Sequence, residues 1–508
     1  MDQTRAPYFQ ALLDYVDAGV IPFHTPGHKQ GIGMDQAFRE FVGDNIASID
    51  LTPMPGIDDL LQPTDSILEA QQLAAEAYGA QRTYFLINGS TSGNQCMMMA
   101  AANPGDLVAV PRNSHKSLLG SLVMSGARPV YMQPDVDESL HMDHTVSPQT
   151  VQRTLDEHPG LKAVYIVSPT YYGIAADLES LVRIVHERDK ILMVDEAWGP
   201  HFHFHPDLPL SATAAGADMC INSTHKMLSS FSQTAMLHQQ GDRVRVDRLE
   251  AVLKLFLSTS PNLPMVASLD VARRQMATEG PALLSRTIDL ANETRRRLNQ
   301  IPGVYCFGEE LQGTNGVFDL DPTKITITVK DLGYTGYEAS EILRRRYNVQ
   351  VELADLFNVV ALFTIGTSQE AAERLILGVS ELAREDRAVD IFSPSGVLQR
   401  RLKTGTYKLP KTPPMRMLPR DAFLADTEPV RFKSSKGRIC AEVITPYPPG
   451  IPVISPGEEI TKEIIDYLDL EIKAGVRMQG PFDKDLKMIR VVKEKTPSLS
   501  GEAPAAPA

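Results

Sequence analysis

Between about residues 60 and 240 the chain alternates helix-like stretches with short runs in which nearly every position is apolar. These runs fall at 83–87, 107–110, 129–132, 163–167, 191–194, 219–221 and 234–237. A strand with one wet face alternates apolar and polar residues, whereas runs apolar on both faces predict strands covered by helices on either side. The pattern predicts an α/β domain around a mostly parallel, seven-stranded sheet.

Ligands of such sheets bind beyond the carboxyl ends of the strands. The residues that follow the runs are chemically loaded, at 88–94, 113–116, 168–173, 195–201 and 222–226. One common site at one edge of the sheet explains them together.

Downstream, a basic helical stretch at 282–300 leads past Pro302 and Gly303 into a second α/β region, with strands at 324–329 and 359–365 and helices at 337–347 and 370–383. Prolines accumulate from about residue 390, which predicts a loop-rich module, and the ending SGEAPAAPA predicts disorder. The expected organisation is an N-terminal arm (1–55), a large domain (56–305), a smaller α/β domain (306–390), a C-terminal module (391–492) and a disordered tail (493–508).

Composition narrows the partners. A length of 508 residues suits two or three domains. The net charge of −13 disfavours nucleic acid and anionic membranes, which reward clustered Lys and Arg. Cys96, Cys220, Cys306 and Cys440 are scattered and form no CxxC pair, so a reducing cytoplasm is expected rather than a disulfide framework. No apolar run approaches the roughly 18 residues of a membrane span, and no targeting segment is expected.

Three short segments then carry candidate chemistry. Ser223-Thr224-His225-Lys226 follows a strand; its lysine is either a solvated charge or a desolvated amine able to form a Schiff base. Asn88-Gly89-Ser90-Thr91-Ser92-Gly93-Asn94 joins a strand to a helix, and reads as a capping turn or as a phosphate cradle. Val194-Asp195-Glu196-Ala197 puts a carboxylate after a buried strand, either as a helix cap or as the partner of a protonated pyridine nitrogen. His201, His203 and His205 are spaced two apart, which could line up metal ligands on a strand. Phe202 and Phe204 alternate with them as in an ordinary strand, and no metal is expected.

The order glycine-rich turn, Asp, Lys resembles that of fold type I enzymes of pyridoxal 5'-phosphate (PLP). The chain as a whole resembles the Orn/Lys/Arg decarboxylase major family. The resemblance rests on HTPGHKQG (24–31), NGSTSGN (88–94), NSHKS (113–117), SPTYYG (168–173), VDEAWGPH (194–201), STHKMLSSFSQ (223–233), STSPNLPMVASLD (258–270) and PYPPGIPVISPGE (446–458). These segments span nearly the whole chain.

The resemblance implies a PLP-dependent decarboxylase of arginine, lysine or ornithine, releasing CO2 and agmatine, cadaverine or putrescine. Lys226 would hold the cofactor, and His225 would help place its phosphate and could return a proton to Cα. Ser90, Thr91, Ser92 and Ser223 would bind the phosphate, His115 would stack on the ring, and Asp195 would pair with the ring nitrogen. Trp198 would line the substrate pocket. Thr259 and Ser260 would serve the phosphate of a neighbouring subunit in a homodimer or dimer-based oligomer. Glu352, or alternatively Tyr447, would meet the distal charge of a basic amino acid, because an unpaired buried cation is costly. The alternative for Glu352 is a solvent-facing strand residue. HTPGHK arriving at residue 24 points to the short biosynthetic type of the family. The rivals are another fold type I reaction, such as transamination, and a non-catalytic PLP-binding homologue.

Overall fold

The computed structural model describes residues 1–385, 396, 410–447, 450–473 and 476–494. Its centre is a seven-stranded sheet of β1 (Arg82–Leu86), β2 (Leu107–Pro111), β3 (Arg128–Met132), β4 (Leu161–Val167), β5 (Ile191–Asp195), β6 (Met219–Asn222) and β7 (Ala235–Gln239). The spatial order is β1-β7-β6-β5-β4-β2-β3. All neighbours run parallel except β7, which is antiparallel to both β1 and β6. The expected mostly parallel sheet is therefore present.

Both faces of this sheet are dry. Tyr165, Val167, Ile191 and Met193 face one core, while Val164, Ile166, Leu192 and Val194 face another. Alternate residues of one strand thus enter opposite hydrophobic clusters, which is why the runs look continuously apolar.

Four helices position the site and its surroundings: α1 (Pro7–Asp17), α2 (Gly89–Ala101), α3 (Lys116–Ser125) and α4 (Leu263–Leu298). Helix α2 lies close on the sheet at Gly93, where an added Cβ would fall 2.3 Å from Ile221 Cδ1. Helix α4 departs from expectation: it runs for 36 residues instead of starting near 282. Asn262 caps it, accepting from Met265 N at 3.0 Å, and Pro264 lies in its first turn. Gly280-Pro281 reads as a break in sequence, since an interior proline removes a helical hydrogen bond. The helix nevertheless continues, because Met276, Leu284 and Ile288 anchor one face in the core and Gly280 allows close approach of Phe204.

The segment around His201 to His205 is a second correction. It forms a short 3-10 helix, Phe202–Phe204, and no strand. The imidazoles are split among separate partners: Asp321 for His201, Ser211 for His203 and Ser285 for His205. Tight 3-10 winding buries both phenylalanines while sending the histidines apart, which the alternation alone could not reveal.

A three-stranded antiparallel sheet follows, with β8 (Lys324–Thr328), β9 (Leu353–Ala354) and β10 (Asn358–Leu362) in the order β8-β10-β9. Beyond it, Thr427–Arg431 pairs with Met488–Val492, and the helix Lys462–Lys473 packs on the same apolar cluster. Most of 391–409, and the tail from 495, lie outside the described residues.

Candidate active site

The carboxyl ends of β4, β5 and β6 and the amino end of α2 converge on a cavity of about 190 Å³. Ser90, Thr91, His115, Asp195, Trp198, Ser223, His225 and Lys226 all line it. The sheet thus gathers residues spread over more than a hundred positions onto one edge.

At one end stands the first turn of α2. Gly89 adopts φ +69 and donates its N–H to Gln233 O at 2.8 Å. Asn88, the N-cap, spends its side chain on Phe256 O and leaves the first-turn N–H groups uncapped by a side chain. Ser90 Oγ and Ser223 Oγ are 2.6 Å apart. Uncapped amides flanked by hydroxyls suit an anion such as phosphate. Ser92 stands outside the cavity wall: its hydroxyl donates to Gly89 O at 2.9 Å and is buried. The helical period turns Ser92 away from the side on which Thr91 opens.

At the other end Asp195 terminates β5. Its Oδ2 accepts from Asn94 Nδ2 and from Tyr165 OH, each at 2.9 Å, and its Oδ1 from Ala197 N at 3.1 Å. Asn94 Nδ2 also donates to Ser117 Oγ at 3.0 Å. Three donors hold the carboxylate in one orientation, with negative charge presented to the cavity.

His115 is the N-cap of α3, and its Nδ1 accepts from Ser117 N at 3.2 Å. The proton of the neutral ring therefore belongs on Nε2. Burial lowers the His115 pKa to about 4; Asp195 opposes this, while Lys226 and Lys116 add to it. His225 Nδ1 donates to Thr234 O at 2.8 Å, and burial lowers its pKa as well.

Lys226 lies in the single turn Thr224–Met227, and its Nζ sits 3.9 Å from the centre of the Trp198 ring. Burial lowers its pKa, against the pull of Asp195 and Glu352. Tyr171 meets Trp198 edge-on with ring centres 6.3 Å apart, closing the wall.

The remaining predicted residues stand apart. Glu352 is exposed and outside the lining, although its charge acts on Lys226. Thr259 and Ser260 are exposed and do not reach the cavity of their own chain. Of Tyr447 only the backbone, at the end of the strand Thr445–Tyr447, belongs to the described residues.

Sequence reasoning passed over Tyr165, Ser117 and Lys324. Tyr165 had a signal: a phenol inside an otherwise apolar strand needs a buried partner. Ser117 stood next to the histidine of NSHKS with nothing to distinguish it from a surface serine. Lys324 begins β8 and reaches the Trp198 ring at 4.3 Å, a contact that only the tertiary arrangement creates.

These donors fit PLP. The α2 amides and hydroxyls suit its phosphate, Asp195 its ring nitrogen, His115 its ring face and Lys226 its aldehyde. Fold and site together define an α/β protein of the fold type I, PLP-dependent transferase-like class.

Comparison with known proteins narrows the class. The chain belongs to the Orn/Lys/Arg decarboxylase family: the major domain matches residues 6–371 and the C-terminal domain residues 401–497. It is 44% identical to an arginine decarboxylase of Bacillus subtilis over 97% of this chain and 99% of that one. It is 30% identical to the lysine decarboxylase LdcA of Pseudomonas aeruginosa, over 94% of this chain and 77% of that one. The crystal structure of the lysine decarboxylase LdcF of Francisella novicida superposes with a TM-score of 0.83 at 25% identity, covering 96% of this chain and 81% of that one.

Proposed function

We propose that this chain decarboxylates L-arginine to agmatine, with PLP held on Lys226. The observation that carries the reading is a poorly solvated lysine amine and a donor-saturated aspartate sharing one cavity with an uncapped helix N-terminus. Arginine is favoured over lysine by the whole-length identity of 44% to an arginine decarboxylase, against 30% to a lysine decarboxylase.

Bound PLP supplies the electron sink that accepts the pair left when the Cα–carboxylate bond breaks. The chain does the rest. Asp195, fixed by Asn94, Tyr165 and Ala197 N, holds a proton on the ring nitrogen. His115 presents its imidazole to the ring, and Ser90, Thr91, Ser223 and the α2 amides hold the phosphate. Lys226 offers an amine whose charged form burial disfavours, against the pull of Asp195 and Glu352. Trp198 and Tyr171 exclude water from the scissile carboxylate, and His225 stands by to return a proton to Cα. Glu352 receives the distal guanidinium.

Thr259 and Ser260, exposed and away from their own cavity, are assigned to the phosphate of a second copy in a homodimer. The four cysteines are unpaired and buried, in keeping with a cytoplasmic enzyme of amine biosynthesis.

Two measurements test the reading. Lys226→Ala should take up PLP without the visible absorbance of a lysine-bound cofactor and should release no CO2; retention of both would overturn the assignment. A kcat/KM comparison of arginine, lysine and ornithine, scoring CO2 against keto acid, should favour arginine and yield no keto acid.

A further inference from the structure

Tyr171 lines a second cavity, of about 160 Å³, as well as the candidate active site, and among the described residues it is the one member the two walls share. This cavity forms where the segments after β2 and β4, the turn between β9 and β10, and the helix Lys462–Lys473 meet, at Asn113, Tyr172, Phe357 and Tyr467. Its volume lies below the roughly 300–1,000 Å³ of sites for drug-sized ligands, which suits a short aliphatic molecule.

Three carboxylates belong to its wall: Asp143, Asp355 and Glu471. Asp355 accepts from Tyr172 OH at 2.7 Å, Phe357 N at 2.7 Å and Asn358 N at 2.8 Å, all neutral donors. Glu471 is 2% exposed and is hydrogen-bonded by Tyr467. Among the described residues Asp143 accepts no hydrogen bond, and the charge that acts on it is that of Arg112, which Glu458 already holds through both oxygens at 2.9 Å. Burial raises the Asp143 carboxyl to about 6 and the Glu471 carboxyl to about 8. No lysine or arginine among the described residues forms an ion pair with any of the three. His141, stacked on Phe357 with ring centres 4.1 Å apart, is kept neutral by burial and by Lys330, its pKa lowered to about 4 against the pull of Asp137. Lys411, also on the wall, is exposed. Desolvated carboxylates without a cation are costly, and tyrosine faces attract organic cations. Among the described residues no three His, Cys, Asp or Glu are gathered closely enough to hold a metal ion, so these carboxylates suit the separated charges of an extended cation.

We propose that this second cavity binds a short aliphatic dication, with an ammonium at one end and an ammonium or guanidinium at the other, as an effector of the active site. Asp143 and Glu471 receive its charges, and the tyrosine rings cover its methylenes. The route to the active site is short: Tyr172 is bonded to Asp355, and the preceding Tyr171 meets Trp198 edge-on. The decarboxylation proposed above releases such a dication, so the enzyme would sense the accumulation of its own product. That choice of ligand, unlike the cavity itself, rests on the proposed function.

The first test titrates the full-length holoenzyme with agmatine by calorimetry. The wild type should bind two per chain, one at the active site and one in the second cavity. Glu471→Gln and Asp143→Asn should each weaken one of the two on the order of tenfold. Neither substitution breaks an ion pair, so both variants should fold with an unchanged or raised Tm. Near neutral pH the second binding event should release a proton, because the arriving cation returns Glu471 to its carboxylate form; the measured heat then changes with the ionisation enthalpy of the buffer. One site per chain in the wild type, or two unweakened sites in both variants, would overturn the proposal.

Turnover supplies the second readout. Agmatine at the active site competes with arginine and raises KM alone, whereas agmatine in the second cavity should change kcat at saturating arginine. In Glu471→Gln the effect on KM should persist, the effect on kcat should vanish, and kcat without agmatine should match the wild type. A wild-type kcat indifferent to agmatine, or one altered equally in Glu471→Gln, would overturn the effector role. Two agmatine sites in a chain inert toward arginine would instead strike at the proposed function and leave the second site standing.

Discussion

Two buried carboxylates, Asp195 and Asp270, show how the same group serves chemistry in one place and architecture in another. Asp270 is fully buried in α4 and pairs with the equally buried Arg273. Its Oδ2 accepts from Tyr8 N at 3.0 Å, capping the first turn of α1, whose own N-cap Ala6 cannot do so. Arg273 donates in turn to Gln3 O at 3.0 Å and Arg5 O at 2.7 Å. Every contact is internal, so the charge is consumed in holding α1 to α4. Asp195 also accepts three hydrogen bonds, but all come from neutral donors, and the cations nearby line a cavity. A carboxylate neutralised by its own chain is a staple; one oriented by neutral donors beside an open space is poised for a ligand.

The contrast is sharpest under substitution. Arg273→Leu leaves Asp270 buried without its cation and should cost about 3–5 kcal/mol in denaturant unfolding. At low temperature the remaining folded molecules should keep their kcat. Asp195→Asn should do the reverse: the amide can still accept from Asn94 and Tyr165, so unfolding should shift little while kcat falls on the order of 10²–10³-fold. If Asp195→Asn unfolded as readily as Arg273→Leu and still turned over, the distinction would collapse.

Gly93→Ala probes the seat of the phosphate end. The new Cβ would meet Ile221 Cδ1 at 2.3 Å and Leu86 Cδ1 at 3.1 Å, so the Ile221 side chain must turn aside or α2 must lift from the sheet. The expected loss is about 1–3 kcal/mol in stability, accompanied by weaker PLP retention in equilibrium dialysis. An unchanged PLP affinity would mean that the cradle tolerates movement of α2.

At neutral pH the last effect is silent, and it emerges only in the acid limb. His115 has a pKa lowered to about 4, so the folded state binds fewer protons than the unfolded chain below the ordinary histidine range. Its stabilising share is present above about 6.5 and is lost as pH falls toward 4, at no more than about 1.4 kcal/mol per pH unit. His115→Phe should flatten stability over that window; an unaltered acid limb in thermal scans would show that His115 is already protonated in the fold.

Much of this was legible from the chain. Strands apolar on both faces foretold the covered sheet, and Asp195, His115 and Lys226 were found at the ends of the runs where the sheet edge gathers them. The misreadings have physical causes. The helix was expected only over 282–300, because local propensity cannot register the burial that carries α4 through Gly280-Pro281. The alternation of His and Phe at 201–205 mimicked a strand because a period of two does not exclude a 3-10 turn of similar burial. Separately, the sequence gives no way to tell that Ser92 turns toward Gly89 O while Thr91 opens on the cavity.

By itself the sequence determined the periodicities, the order of elements and the reactive side chains placed just after them, since these depend on neighbours a few residues apart. The tertiary structure alone decided which of those side chains share a cavity, that Tyr165 and Asn94 clasp Asp195, and that Lys324 stands beside Lys226 at Trp198. Such meetings join residues distant in the chain, and close packing, not local preference, selects them.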